Sequence, residues 1–150
     1  MLRLNLLFLL FMALSLNLFS QVVEIPCKNL ISNRNIIILS YGLTNKYQID
    51  KSWLQEYIPD DSITKWSIRY INETMVLGDE NQNLLEKLIE REIEHIQTKI
   101  DSISLQIGNN YKLFYYSTPD SYWNKLKGQD GIVFIRDCEV KGVIIIRESL

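Results

Sequence analysis

Glu92-Ile93-Glu94-His95 is the one stretch of this chain in which a carboxylate and an imidazole stand three residues apart. On a helix that spacing puts both side chains on one face, as carboxylate-bridged metal pairs require. Such a pair needs a second Glu-x-x-His from another helix, and His95 is the only histidine. Arg91 and Lys99, four residues to either side, make it instead one polar member of a solvated face. The scarcity of imidazole weighs equally on hydrolase chemistry, where a base must activate a serine or cysteine nucleophile. Thr98 and Ser102 lie near His95 in sequence with nothing further to promote them. Asp60-Asp61 offers adjacent carboxylates for a cation or an acid–base pair, but after Pro59 it reads more simply as a solvated turn or the start of the next element. The sequence therefore assigns no catalytic residue, no metal ligand and no cofactor, and leans away from an enzyme.

The aromatic residues are the stronger binding candidates. Tyr111 to Ser117 reads as a strand, and alternate strand residues face opposite ways. Tyr111 and Tyr115 then share one face, and Phe114 and Tyr116 the other. One face must be core, and the other can present tyrosines to a ligand. Tyr122 and Trp123 follow on a short helix, so Tyr111, Tyr115, Tyr122 and Trp123 are the candidate binding residues. The competing reading is that these rings close the edge of the core with their hydroxyls at the surface.

Two cysteines, Cys27 and Cys138, allow one intramolecular pairing. In an oxidising compartment so long a loop would gain on the order of 4 kcal/mol from closure. Two unrelated thiols are the alternative, and spacing alone does not decide between them.

The compartment is suggested by the first twenty residues. Arg3 precedes an almost uninterrupted apolar stretch from Leu4 to Leu18, and Ser20 supplies a small residue for cleavage. That tripartite pattern predicts a signal peptide over 1–20. Leu4 to Phe19 is shorter than the roughly 20 residues that span a bilayer. No cysteine stands at the cleavage point for a lipid anchor. The Phe19-Ser20-Gln21 junction resembles signal-peptide ends of small exported proteins of Gram-negative bacteria. Removing Arg3 leaves 15 basic against 18 acidic residues, a net charge of −3. That balance offers no footprint for nucleic acid and no polybasic patch for a membrane surface.

The elements that would position these residues follow from periodicity. An N-terminal extension is expected over 21–34 and a single domain over 35–150, with no linker or repeat dividing it. Ile36 to Leu39 is continuously apolar, with three β-branched isoleucines, which predicts a strand buried on both faces. Lys51 to Tyr57 is expected to be a short helix after Asp50. The alternation in Trp66-Ser67-Ile68-Arg69-Tyr70 suggests a strand turning at Asn72-Glu73. Asp79 to Ile107 holds no proline or glycine, and from Ile89 its isoleucines step by 4, 3, 4, 3 and 4 to Ile107. This is one stripe of a long amphipathic helix capped by Asp79 and stopped by Gly108. The stripe can pack on a sheet or, less simply over under three heptads, form a coiled-coil seam between copies. Thr118 is placed as N-cap of a helix over 121–127. Ile132 to Ile135 and Val143 to Ile146, around Asp137-Cys138-Glu139, predict a C-terminal β-hairpin. The fold class is α+β, with a mixed or antiparallel sheet, one long helix and short helices.

Thr118-Pro119-Asp120-Ser121-Tyr122-Trp123, then Leu126, Gly128 and Gly131 running into Ile132-Val133-Phe134-Ile135, resembles a C-terminal pattern of small exported bacterial proteins of unknown function. The resemblance covers about the last thirty residues and implies export without supplying catalytic residues. Where that pattern often has a turn glycine after the aspartate, this chain has Cys138, so the turn is expected to be longer or strained. The resulting expectation is an exported protein, periplasmic or secreted, acting as a non-enzymatic binding or envelope-associated module. Its partner would be an unidentified protein or envelope component. The alternatives are a small hydrolase using His95 and a homo-oligomer joined through the 89–107 stripe.

Overall fold

The computed structural model describes residues 27–39, 48–74 and 82–149. The expected signal peptide and the Asp79 cap lie outside these residues. Strands β1 (Ile31–Leu39), β2 (Leu54–Ile58), β3 (Lys112–Ser117), β4 (Gln129–Arg136) and β5 (Glu139–Glu148) form one sheet in the order β1-β5-β4-β3-β2. β1 runs parallel to β5 and every other pairing is antiparallel, so the α+β fold carries a mixed sheet. The helices are α1 (Ile63–Thr74), α2 (Gln82–Ile107) and the single turn α3 (Asp120–Trp123).

Both faces of the sheet are covered, and period two sorts the strand residues between them. Leu113, Ile132, Phe134 and Ile144 face the helices, where they meet Trp66, Tyr70 and Ile71 of α1 and Ile96, Ile100 and Ile103 of α2. Phe114, Tyr116, Val133, Ile135, Val143 and Ile145 face the other way, against Cys27, Ile49, Leu30 and Trp53. The α2 stripe is thus spent on the sheet, as the simpler reading of its isoleucines holds. Gly108, at φ 74°, ends that helix with its N–H donating to the Ser104 carbonyl at 2.9 Å, the left-handed stop expected of a glycine.

Close approach of α2 to β5 depends on Gly142. A Cβ there would stand 2.6 Å from Ile103 Cγ2, and Ile103 is fully buried. Gly142→Ala is expected to cost about 1–3 kcal/mol by overpacking. The cost should shrink in an Ile103→Ala background, which urea unfolding of the four proteins of the cycle would measure.

Several local expectations are corrected. The segment expected as a strand at Trp66–Tyr70 is helical throughout Ile63–Thr74, Asn72 and Glu73 included. Its buried residues Ile63, Trp66, Ser67, Tyr70 and Ile71 recur at helical spacing, while Ile68, which the alternation placed inside, is 41% exposed. Lys51–Trp53 is only a 3-10 turn capped by Asp50, and the chain continues as strand β2 rather than helix. Pairing with β3 overrides the helix-like apolar spacing there, setting Tyr57 opposite Phe114 with ring centroids 5.5 Å apart. β1 begins at Ile31 and is an edge strand, with Ile38 exposed, rather than one buried on both faces. The helix expected over 121–127 is confined to Asp120–Trp123.

Cys27 and Cys138 form a disulfide, with Cα atoms 5.5 Å apart across 111 residues of sequence. The β4–β5 turn is a two-residue one, Arg136 pairing with Glu139, and both Asp137 (φ 51°) and Cys138 (φ 63°) are left-handed. The strained alternative therefore holds.

Candidate functional site

Asp130 lies in β4 and is fully buried. A carboxylate inside an apolar strand requires donors, and three side chains supply them. Tyr70 from α1 donates its hydroxyl to Oδ1 at 2.7 Å. Arg147, its cross-strand neighbour on β5, donates Nε to Oδ2 at 2.9 Å and adds Nη2 to the same oxygen. Tyr115 from β3 donates to Oδ2 over a longer 3.4 Å. The Arg147 guanidinium lies 4.6 Å from the Trp123 ring centroid, a cation–π contact. Trp123 in turn rests on Gly128, where a Cβ would fall 2.2 Å from Cδ2 of the ring, and donates its indole N–H to the Thr118 carbonyl.

Burial pushes the Asp130 carboxyl above the usual range, against the lowering effects of Tyr70, Arg147 and Tyr115. Burial would lower Arg147, but the negative charge and hydrogen bonds of Asp130 outweigh it and raise the guanidinium. The two directions agree physically, since the carboxylate is enclosed while the guanidinium remains partly in water. Burial first, then the charge of Asp130, pushes the Tyr115 phenol up to about 12 and the Tyr70 phenol further still. Neither phenol is suited to act as a base at neutral pH.

In front of this network opens a cleft of about 690 Å³. It is lined by Ser52, Gln55 and Glu56 on one side, Ser117, Thr118, Pro119 and Asp120 on the other, and Tyr115. The first wall belongs to the turn and strand leading through β2, the second to the end of β3 and the start of α3. The two walls are tied by an edge-to-face contact between Trp53 and Tyr122, 5.4 Å between centroids. Thr118 does not cap α3; Pro119 holds that position without a side-chain bond. Thr118 is buried, and its hydroxyl accepts from Gln129 N–H at 3.0 Å and donates to Gln129 C=O at 3.2 Å. It thereby pins the wall to β4. Glu56 is paired with Arg69 at the outer edge.

The four aromatic residues expected to bind do not share one surface. Tyr115 lines the cleft, and Tyr122 stands beside it with Trp53. Trp123 is occupied behind by Arg147. Tyr111 belongs to the opposite end of β3, half-buried against Phe134 and hydrogen-bonded to Ser104 Oγ at 2.6 Å. Asp130, Tyr70 and Arg147 were not singled out by the sequence. The available signal for Asp130 is an acid directly before Gly131 and the apolar run Ile132–Ile135, outside the strand that the sequence predicts.

His95 is exposed on α2 and does not line the cleft, and Asp60-Asp61 forms an exposed 3-10 turn leading into α1. Among the described residues no group of three or more His, Cys, Asp or Glu could hold a metal ion, and no helix is long and apolar enough to cross a membrane. The chain matches no protein-family model, and neither the curated proteins nor the solved structures compared with it contain a significant relative.

Proposed function

We propose that this chain is an exported, non-enzymatic binding module that takes a small polar ligand in the cleft beside Tyr115. The observation that carries this reading is the cleft itself, with an aromatic residue on its wall and polar side chains around it. Export is supported by the leader-like segment before Gln21 and by a disulfide, which persists in oxidising compartments. A histidine-based hydrolase has less to recommend it, because the lone histidine is outside the cleft. The homo-oligomer reading is weakened because Ile96, Ile100 and Ile103 are spent on the protein's own core.

Titrating the isotope-labelled mature protein with a small-molecule extract of the cell envelope tests the reading. Amide shifts are expected to localise to residues 52–56 and 115–120, and to vanish in Ser117→Trp, which fills the cleft. Shifts scattered over the surface, or retained in that variant, would remove the cleft as the binding site. Expression with the native leader should yield an exported chain beginning near Gln21.

A further inference from the structure

The cleft is biased in its hydrogen bonding, and the bias selects a ligand class. Two hydroxyls on its walls, Ser52 and Thr118, spend their hydrogens on the protein, and the other two, Tyr115 and Ser117, turn theirs toward it over longer contacts of 3.4 Å. Ser52 Oγ donates to Asp50 at 2.7 Å, Thr118 Oγ1 to the Gln129 carbonyl, and Tyr115 to Asp130. Ser117 Oγ donates to the Thr118 carbonyl at 3.4 Å. Gln55 uses one amide hydrogen on the Trp53 carbonyl at 3.2 Å, keeping its other amide hydrogen and its carbonyl oxygen. A hydroxyl whose hydrogen is committed offers an incoming group its lone pairs alone. Glu56 and Asp120 add carboxylate oxygens, which accept only. Arg69 offsets Glu56, so Asp120 supplies the net charge. The start of α3 would favour an anion, but a helix of one turn carries little dipole, and the Asp120 carboxylate already stands there.

We infer that the cleft recognises a primary ammonium group, which brings three hydrogen-bond donors and a positive charge to a wall on which acceptors outnumber donors. The inference rests on the binding-module reading and names its ligand class. Tyr115 adds a ring beside which the alkyl stem of the ligand can lie. The same ammonium chemistry can come from a free diamine or from a lysine side chain.

The test is a nuclear magnetic resonance titration of the full mature chain with n-butylammonium, cadaverine and Nα-acetyl-lysine methylamide. Tetramethylammonium, n-butanol and acetate are the comparators. The three primary ammonium probes are expected to shift amides of residues 52–56 and 115–120 saturably in the millimolar range. Asp120→Asn should weaken them about tenfold or more, the scale of one charge-assisted hydrogen bond. Tighter binding of cadaverine would assign the free diamine as source, and tighter binding of the lysine derivative the side chain. Equal binding of tetramethylammonium, which has no donors, would overturn the inference, as would indifference to Asp120→Asn. Preferential binding of butanol or acetate in the cleft would overturn the ammonium class while leaving the binding module standing. Silence from all three ammonium probes also overturns it, and the extract titration then judges the module on its own.

Discussion

Replacing Cys27 and Cys138 together with alanine is expected to lower the unfolding free energy by about 4 kcal/mol and the thermal midpoint by roughly 10 °C. The bond closes a loop of 111 residues, nearly the whole of the described chain, so its effect on the unfolded ensemble is close to the largest one cross-link can have. It also joins the segment before β1 to the β4–β5 turn, where Ile31 N–H already donates to the Cys138 carbonyl at 2.9 Å. Against this gain stands the conformation of Cys138. A two-residue turn with both central residues at positive φ favours Asp-Gly or Asn-Gly, and cysteine there costs about 1 kcal/mol or more. Two double variants separate the terms. Cys27→Ala with Cys138→Gly should be more stable than Cys27→Ala with Cys138→Ala by about 1 kcal/mol, both remaining well below the oxidised parent. Urea midpoints for the three proteins decide it. Equal midpoints for the two variants would show that the turn relaxes once the bond is gone.

The parts of this fold legible in sequence were those where one physical signal acted alone. α2 was legible because six isoleucines held one stripe over five helical steps without a breaker. The C-terminal hairpin was legible because two β-branched runs flank a short polar turn. Where two periodicities overlapped, tertiary packing decided. Trp66, Ile68 and Tyr70 satisfy an alternating pattern, and Ile63, Trp66, Tyr70 and Ile71 satisfy a helical one. The helix prevails because its stripe can stack Trp66 on Tyr70 and set both against Tyr115 on the sheet. At Leu54–Ile58 the balance runs the other way, since β3 offers antiparallel partners to Leu54, Glu56, Tyr57 and Ile58 around an irregularity at Gln55.

The site was less legible than the fold, and the reason is register. Counted back from a two-residue turn at Asp137-Cys138, a regular ladder would set Asp130 opposite Ile145. Irregularities between Phe134 and Ile135, and between Asp130 and Gly131, move the pairing until Asp130 meets Arg147. The second coincides with Gly131, where a Cβ would sit 1.9 Å from the Ile144 carbonyl oxygen. A glycine between a lone acid and the apolar run Ile132–Ile135 is the available hint. The partner from α1 is out of reach of any such count, because alternation makes a strand of the segment that holds Tyr70. The tyrosine face had a different difficulty. Alternation correctly put Tyr111 and Tyr115 on one side of β3, but both sides of the sheet are covered, and only Tyr115 reaches the cleft.

Arg147→Met is expected to destabilise the protein at neutral pH by about 3 kcal/mol, the low end for breaking a buried ion pair because the guanidinium is 46% exposed. The loss comes from Asp130, left with two phenol hydroxyls as donors and no compensating charge. The sign of the pH dependence follows from the direction of its shift. In the native state the Asp130 carboxyl titrates above its ordinary value of 3.8, because burial disfavours the charge. Between that value and the raised native one, the folded chain holds more protons than the unfolded chain. The contribution of this group is therefore complete below pH 3.8 and is lost as pH rises through the native value. Removing Arg147 lifts the native value further, so the deficit of the variant should be smaller near pH 5 than at pH 7. Asp130→Asn should abolish that difference, and Asp130→Asn with Arg147→Met should recover part of the loss by removing the buried charge altogether. Urea unfolding of the four proteins at both pH values measures each term. A deficit for Arg147→Met that is the same at both would mean that its cost lies in lost stacking on Trp123 rather than in a stranded carboxylate.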